Sequence, residues 1–463
     1  MKQEIGKRKV GRYSRLPEGG VNIFAEVKAM RKAAEAGGTE IWNLSIGQPV
    51  GSALLIARFM NVLATMLDNE DVHGYQDNGA PGVTAFFKAL RKSHIPIAKI
   101  ANRISGAATI LPSNTVREGI DLLSFLLGVM SIDTDKESQW EKECPDFAEG
   151  FVQHHVRIGL PDANVKYLPL PGTKPAFEYI ILACRNSFGD NMEVMSMSEP
   201  GYPTPATMCE YLGIPHKTFP LTAENQFLPT DHLEVCDLMM MNYPNNPSGQ
   251  IATLEFWYMI CDFCEKNGIR LFNDAAYAKL APEENVLLSE VAVDYPDLSW
   301  AESYSSSKMG CNLTGHRVGA VVGSTDFVGD IATIKGNCDS GFYAPAAVGV
   351  LAVLRYAPEK IKEYWQTFQR RQELFFGIAT KYGMQPVVKP KSTFFNWWEL
   401  PKKAFGVNIE DSKHFNELVI SNTGLIGVHL HPECIRYAVV EDIETPEFIA
   451  AIESGFEKAD VKY

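Results

Sequence analysis

The chain is short of positive charge: Lys and Arg number 43 against 56 Asp and Glu in 463 residues, a formal net charge of −13. This balance argues against a nucleic-acid-binding protein, because such proteins contact phosphates through a basic surface. Long apolar runs are also lacking. LLSFLLGVM (122–130) and APAAVGVLAVL (344–354) are shorter than the roughly 20 residues of a membrane-spanning helix. The basic start, MKQEIGKRKVGRYSR, leads into no apolar segment, so we expect no signal peptide.

The nine cysteines show no spacing typical of a disulfide framework, which favours a protein of a reducing compartment. One CxxC pair, Cys261 and Cys264, lies in LEFWYMICDFCEKNG, a stretch with helical periodicity. No second pair follows at a spacing that zinc sites use, so we expect these thiols to pack in a core. The composition predicts a soluble cytoplasmic protein.

From about residue 165 onward, short apolar runs alternate with amphipathic stretches. Nearly continuous apolar runs are typical of strands that are covered on both faces, and hence of a largely parallel sheet. The runs are MEVMSMSEP, CDLMMMNYP, IRLFNDAAY, LSWAESYS and RVGAVVGS, and the helix-like stretches are KPAFEYIILACRN, PATMCEYLG and TLEFWYMICDFCEKNG. The pattern predicts an α/β fold in which helices cover both faces of a mostly parallel sheet.

We expect two domains. Residues 44–345 form the large one in this interpretation, and residues 1–43 with 346–463 form a smaller α+β domain, because long amphipathic helices appear around 358–383. Residues 100–164 are interpreted as an insertion that contains VREGIDLLSFLLGVM and an acidic stretch, DTDKESQWEKECPDFAEG. We expect the insertion at the surface, near a dimer interface or the mouth of the active site.

Polar side chains occur at or just after the carboxyl ends of the predicted strands, the edge at which open parallel sheets bind ligands. They are Asp274, Tyr277, Asn246, Ser305 and Lys308, and Gly172, Thr173 and Lys174 open the helix after VKYLPLP. If these strands are neighbours, a carboxylate, a phenol, an amide, an amine and a helix N-terminus meet at one edge.

This set matches the needs of pyridoxal 5'-phosphate. An amine such as Lys308 can hold the aldehyde of the cofactor as a Schiff base, and a carboxylate such as Asp274 keeps its ring nitrogen protonated. A helix N-terminus, hydroxyls and a guanidinium suit its phosphate. The side chains that suit the phosphate are Thr173, Ser305 and Arg317, and those that suit the phenolic oxygen are Tyr277 and Asn246.

Each of these residues also has an ordinary structural interpretation. Lys308 could extend from a loop into solvent, Asp274 could cap a helix, and Asn246 in NNPSG is typical of a turn. A single cofactor explains the whole set at once, and we therefore favour the cofactor site.

From about residue 40 to 440 the chain resembles the fold-type I, class I and II pyridoxal-phosphate aminotransferases. The similar segments, in the family's order, are NLSIGQP, YQDNGAPGVTAFFKAL, LPGTKPAFEYI, EPGYPTPATMCEYLG, NYPNNPSG, NDAAYA, SSSKMGCNLTGHRVG, STFFNWWELP and ECIRYAV. The resemblance implies a homodimer with shared active sites, in which Lys308 forms the Schiff base and moves a proton. It also implies that Tyr202 stacks on the cofactor ring and that Tyr75 reaches the phosphate of the other subunit. Gly47 and Arg436 are then the substrate-binding residues, with Arg436 gripping the α-carboxylate.

Two departures from the family concern the cofactor loop and the substrate. Nine positions separate Lys308 from Arg317, one more than is usual, so we expect the intervening loop to bulge. The segment CDSGFYAP (338–345) lacks an arginine that some dicarboxylate-specific members place there, which weakens a dedicated aspartate specificity.

The predicted activity is transfer of an amino group between an α-amino acid and a 2-oxo acid in two half-reactions, nearest to the aspartate and diaminopimelate aminotransferases. A carbon–sulfur β-lyase with the same cofactor is the alternative. A serine hydrolase that uses Ser305-x-x-Lys308 is a remote one, because the chain lacks the companion motifs SDN and KTG. A regulator that holds the cofactor without turnover is a further alternative. We expect no metal site and no nucleic-acid or membrane partner.

Overall fold

The computed structural model describes residues 23–92, 147–161, 164–188, 191–198, 201–230 and 233–463. The basic N-terminal stretch and most of the predicted insertion, VREGIDLLSFLLGVM included, lie outside the described residues. Within the described ranges, no helix has the length and apolar character needed to cross a membrane.

The helices are α1 Ile23–Ala36, α2 Leu55–Thr65, α3 Glu70–His73, α4 Pro81–Lys92, α5 Phe147–Gln153, α6 Ala176–Phe188, α7 Thr204–Leu212, α8 Leu254–Asn267, α9 Ser289–Ala292, α10 Thr325–Cys338, α11 Ala344–Tyr356, α12 Pro358–Lys381, α13 Ser412–Thr423 and α14 Pro446–Ala459. The strands are β1 Trp42–Asn43, β2 Val165–Leu170, β3 Val194–Ser196, β4 His216–Thr218, β5 Leu238–Met241, β6 Arg270–Asp274, β7 Trp300–Ser305, β8 Gly319–Ser324, β9 Pro386–Val388, β10 Phe395–Glu399, β11 Lys403–Ala404, β12 Val407–Asn408, β13 Leu425–Ile426, β14 Val428–His431 and β15 Cys434–Ala438. Two short 3₁₀ turns, Ser306–Lys308 and Thr314–His316, follow β7.

The main sheet has seven strands in the order β2-β8-β7-β6-β5-β3-β4. The pairs from β7 through to β4 are parallel, and β8 runs antiparallel to both of its neighbours. The predicted mostly parallel sheet is therefore confirmed, with one exception. No α-helix lies between β7 and β8, and without a helical crossover the chain returns in the opposite direction.

Both faces of this sheet are buried, as the apolar runs predict. In β5, Leu238 and Met240 pack in one hydrophobic cluster with α6 and α10, whereas Met239 and Met241 pack in another with α8 and α11. Adjacent strand residues point to opposite faces, so an unbroken apolar run buries both.

Local signals set the ends of α8. The side chain of Thr253 accepts a hydrogen bond from the backbone N–H of Phe256 at 3.2 Å, and Gly268 ends the helix with a left-handed φ of 66°. Cys261 and Cys264 lie on its buried face, which confirms that they pack in the core.

A second core surrounds the four-stranded sheet β14-β15-β10-β9. Helices α12, α13 and α14 contribute to it, together with Leu44 and Tyr277. Helix α1 packs beside it through Val27, which contacts a small cluster with Ile420 and Val428. Helix α11 contributes to the large-sheet core. The next helix, α12, begins at Pro358 and contributes to the second core. The domain limits given above stay a prediction.

Candidate active site

The parallel strands bring their carboxyl ends to one edge of the main sheet, where a cavity of about 280 Å³ opens. Its walls contain every site residue predicted from the sequence except Gly172 and Tyr75. The predicted residues that line the cavity are Gly47, Thr173, Lys174, Tyr202, Asn246, Asp274, Tyr277, Ser305, Lys308, Arg317 and Arg436. The roles of these residues stay predictions, but the structure gathers them in one place.

Lys308 ends the 3₁₀ turn after β7 and extends into this cavity. Its Nζ donates a hydrogen bond to the carbonyl oxygen of Gly47 and lies 6.0 Å from the centre of the Tyr277 ring. Burial lowers the pKa of Lys308 to about 8, and the positive charge of Arg436 adds to this effect. About a tenth of the amine is therefore uncharged at pH 7, and about half at pH 8.

Asp274 is the last residue of β6 and is buried. Ser303, its cross-strand neighbour in β7, donates from Oγ to Asp274 Oδ1 at 3.3 Å. Burial raises the pKa of Asp274 to about 7, although the hydrogen bond from Ser303 opposes the rise. This carboxylate gains from a cationic partner in the cavity, because an ion buried alone is costly.

Arg436 lies in the middle of β15 and is 1% exposed. Its Nη1 donates to Asn246 Oδ1 at 2.9 Å, its Nη2 donates to the carbonyl oxygen of Ser45 at 3.4 Å, and its guanidinium lies 4.1 Å from the centre of the Phe395 ring. Its Nε is buried without a hydrogen-bond partner, and no ion pair joins this arginine to a carboxylate among the described residues. Such a cation, held by neutral groups, is ready to accept an anion.

A second set of donors lies at the approach to α6. Arg317 donates to Ser307 Oγ at 3.3 Å and to the carbonyl oxygens of Thr314 and Pro171 at 3.0 and 3.5 Å. Gly172 has a φ of +84°, and a Cβ at this position would lie 2.4 Å from Arg317 Nη2. A side chain here would displace the guanidinium, and the positive φ also favours glycine.

The loop between Lys308 and Arg317 accommodates its additional residue with left-handed backbone. Gly310 and Asn312 have φ values of 89° and 47°. A Cβ on Gly310 would lie 2.5 Å from Cβ of Tyr364. Arg317 still faces the cavity, so the longer interval does not displace it from the site.

Tyr75 lies apart from this cavity and is 78% exposed on the loop before α4. Within one chain, Tyr75 therefore does not reach the cavity. Asn246 Oδ1 already accepts from Arg436, so Nδ2 is the amide atom left to donate to a phenolic oxygen.

Seven cavity residues were missed from the sequence: Phe24, Gln48, Phe177, Asn242, Ala276, Ser307 and Thr314. Ser307 is one of the three hydroxyls before Lys308, and Asn242 opens NYPNNPSG, so both had a local signal. Asn242 donates to the backbone oxygen of Asp274 at 2.9 Å. Phe24 had no signal, because only tertiary packing of α1 brings it here.

The donor set fits pyridoxal 5'-phosphate. An amine of lowered pKa and a buried carboxylate face one cavity, and aromatic rings of Tyr202 and Tyr277 line it. Hydroxyls, a guanidinium and the start of α6 suit a phosphate. Ser305 Oγ accepts from the N–H of Ser307 while Lys308 donates to Gly47, so these two residues do not form the pair that a serine hydrolase needs. The described residues contain no group of side chains that could hold a metal ion.

Comparison with known proteins identifies the family to which the sequence of this chain is similar. Residues 151–452, more than half of the chain, match the family "Aminotransferase class I and II". The LL-diaminopimelate aminotransferase of Natranaerobius thermophilus is 30% identical over 290 residues, covering 59% of this chain and 69% of that protein. The enzyme of the same name from Methanocaldococcus jannaschii is 32% identical over 255 residues, covering 54% of this chain and 59% of its own length.

Solved structures share the fold at low sequence identity. BacF of Bacillus subtilis has a TM-score of 0.68 at 19% identity, covering 95% of both chains. A probable N-succinyldiaminopimelate aminotransferase of Thermus thermophilus has a TM-score of 0.67 at 18% identity, covering 94% of this chain and all of that one (100%). The family match over residues 151–452 shows that the chain belongs to the class I and II aminotransferases, a family of pyridoxal-phosphate-dependent enzymes that transfer amino groups.

Proposed function

We propose that this aminotransferase works as a homodimer in the cytoplasm. Its amino donor in this proposal is an α-amino acid with a second polar end, of the diaminopimelate type, and its acceptor is a 2-oxo acid. The observation that carries the proposal is the buried guanidinium of Arg436, which has no carboxylate partner among the described residues and faces the same cavity as Lys308. Amino acids and 2-oxo acids share one group that such a cation binds, the α-carboxylate.

Bound pyridoxal phosphate supplies an aldehyde that condenses with amines and a ring that withdraws electrons. Lys308 is suited to hold the resting cofactor, and its uncharged Nζ is suited to take the proton from the substrate Cα and to return it. Arg436 fixes the substrate by its α-carboxylate, which orients the Cα–H bond toward that amine.

The remaining residues hold the cofactor in this proposal. Asp274 pairs with the protonated ring nitrogen, and Tyr277 and Asn246 Nδ2 donate to the phenolic oxygen. Tyr202 stacks on the ring, a contact of about 0.5–1.5 kcal/mol beyond burial. The groups proposed for the phosphate are Gly172, Thr173, Lys174, Ser305, Ser307 and Arg317.

The substrate class rests on the relatives and on the cavity wall. The two relatives described above bear the name LL-diaminopimelate aminotransferase, and Gln48 lines the cavity of this chain next to Gly47. An amide beside the substrate site favours a side chain with a polar end over an aromatic one.

The homodimer is supported by an exposed apolar surface that includes Tyr75. Four exposed residues form it: Val62 of α2, Met66 directly after α2, Tyr75 and Tyr343. Thr65 Oγ1 lies 2.9 Å from Tyr343 OH. The backbone N–H of Gln76 donates to Ser340 at 3.3 Å, so the Tyr75 loop adjoins the same surface. A second copy that covers this surface can receive Tyr75 at its phosphate.

The test is a half-reaction screen. Protein loaded with pyridoxal phosphate is mixed with single amino acids, and the cofactor absorbance and the 2-oxo acid product are measured. We expect conversion with diaminopimelate and slower conversion with aromatic amino acids. No spectral change with any amino acid would contradict the proposal, and pyruvate and ammonia from cystathionine without an acceptor would point to a β-lyase.

A further inference from the structure

The loop that carries Tyr75 is unusually well fixed for a segment with an exposed tip. Gln76, the next residue, is buried and donates from Nε2 to the carbonyl oxygens of Asp71 and Gly74, both at 2.9 Å. Its Oε1 accepts from the N–H of Gly82 at 2.9 Å. The backbone next to the exposed Tyr75 ring is therefore held in a defined position.

Helix α10 also contacts the loop that carries Tyr75. The side chain of Lys335 is 0% exposed and forms an ion pair with Asp339 at 2.8 Å. Its Nζ also lies 3.4 Å from the carbonyl oxygen of Asp77, two residues after Tyr75. One turn away, Asn78 donates from Nδ2 to the carbonyl oxygen of Ala332 at 3.2 Å.

Asp339 connects this ion pair to two further elements. Its Oδ2 accepts from Tyr179 OH at 2.7 Å, and its Oδ1 accepts from the N–H of Gly341 at 2.7 Å. Tyr179 belongs to α6, the helix whose approach includes Thr173 in the cavity wall. Gly341 has a φ of +93°, and a Cβ there would lie 2.9 Å from Cβ of Gln76. The Asp339 carboxylate therefore connects α6, which begins beside the cavity of the same chain, to the loop that carries Tyr75.

We propose that Lys335 and Asp339 are a positioning pair, which fixes the Tyr75 loop against α6 so that the Tyr75 hydroxyl reaches the cofactor phosphate of a second copy. This inference rests on the proposed homodimer and on the role proposed for Tyr75. A lysine that served only to stabilise α10 would not need to leave solvent or to contact the backbone of Asp77, because a buried ion is costly.

The test measures the dissociation constant of pyridoxal phosphate on cofactor-free protein. The variants are Tyr75→Phe, the charge-free pair Lys335→Met with Asp339→Asn, and the combination of all three changes. We expect Tyr75→Phe to weaken binding roughly tenfold, as loss of one charge-assisted hydrogen bond does. The pair variant should weaken it by a similar factor, and the combination should bind no more weakly than Tyr75→Phe alone, because residues that act through one contact are not additive.

Two further variants separate positioning from general destabilisation. Asp330 lies on α10, like Lys335, and contacts Arg270 at 2.7 Å. The change Asp330→Asn removes this anion and should leave cofactor affinity unchanged. Tyr179→Phe deletes one hydrogen bond to Asp339 without unpairing a charge, and should weaken affinity by about two- to fivefold. This variant decides the matter if the pair variant does not fold.

The outcomes distinguish the inference from the proposed function. Additive losses in the combined variant, or unchanged affinity in both the pair variant and Tyr179→Phe, would overturn the positioning role while leaving the homodimer intact. Unchanged affinity in Tyr75→Phe, or a cofactor-free monomer in sedimentation that binds as tightly as the dimer, would overturn the role of Tyr75 itself and with it this inference.

Discussion

Arg436 and Asn246 are joined across the two cores of the molecule: Nη1 of the arginine in β15 donates to Oδ1 of the asparagine that follows β5, at 2.9 Å. Asn246 is thereby placed against both the proposed substrate anchor and the cofactor edge of the main sheet. The guanidinium also lies 4.1 Å from the centre of the Phe395 ring, and this contact restricts the positions from which it can meet a carboxylate.

Replacing Arg436 with lysine should weaken binding of amino acids and 2-oxo acids together. Lysine retains the charge but cannot form the fork or donate to Asn246 in the same geometry. We expect KM for both substrates to rise about 100-fold, as for loss of one member of a buried charge pair. The exposed Arg370, which contacts Glu444 at 3.3 Å, provides the control Arg370→Lys. Equal effects of the two changes would contradict the assignment.

Replacing Gly172 with alanine should loosen cofactor binding. The added Cβ would lie 2.4 Å from Arg317 Nη2, so the guanidinium must move. We expect the dissociation constant of pyridoxal phosphate to rise roughly tenfold or more, since the displaced cation no longer holds its hydrogen bonds. Gly213→Ala is the matched control: its φ is also positive, at +65°, but nothing lies within 4 Å of the new Cβ. If both variants bind the cofactor equally, the close approach of Gly172 has no role in binding.

Replacing Asp274 with asparagine should abolish turnover yet stabilise the cofactor-free protein. The folded pKa is raised from 3.8 to about 7, so the folded chain retains a proton that the unfolded chain has lost. Stability is therefore highest below the unfolded pKa and falls as pH rises through the folded one, an effect of a few kcal/mol. Asparagine removes the effect, so its gain in Tm should be larger at about pH 8 than at about pH 5. A gain that does not vary with pH would contradict this.

Incorporation of the cofactor should depend on pH through Lys308. The pKa of this amine is lowered to about 8, and only its uncharged form attacks an aldehyde. The rate of incorporation into cofactor-free protein should rise about tenfold per pH unit below this value and then level off. Rapid-mixing absorbance measures it, with Lys308→Arg as the control. A rate that is still rising steeply well above pH 9 would indicate a lysine of ordinary pKa, about 10.4.

The sequence predicted the strands that carry the site with little error. Each buried run from Val194 to Ser324 is a strand, because burial on both faces leaves an unbroken apolar run. Asp274 and Lys308 could be located by their positions at the ends of such strands, where topology alone brings side chains together.

What the sequence did not contain is information that depends on packing. The reversal of β8 depends on how the loop after Lys308 folds, and Phe24 reaches the cavity because α1 docks on Ile420 and Val428. Helix α11, which spans the predicted boundary at 345, belongs to the large-sheet core because its apolar surface packs against α2. Periodicity shows that a helix has an apolar face, but not which core receives it.

Mass spectrometry of the reduced protein tests the central claim most directly. The protein is loaded with pyridoxal phosphate, treated with borohydride and digested, and the peptide that contains SSSKMG is sequenced. The account predicts a phosphopyridoxyl group on the ε-amino group of Lys308, and its loss in Lys308→Arg. A stable adduct on another lysine, or none at all, would contradict it.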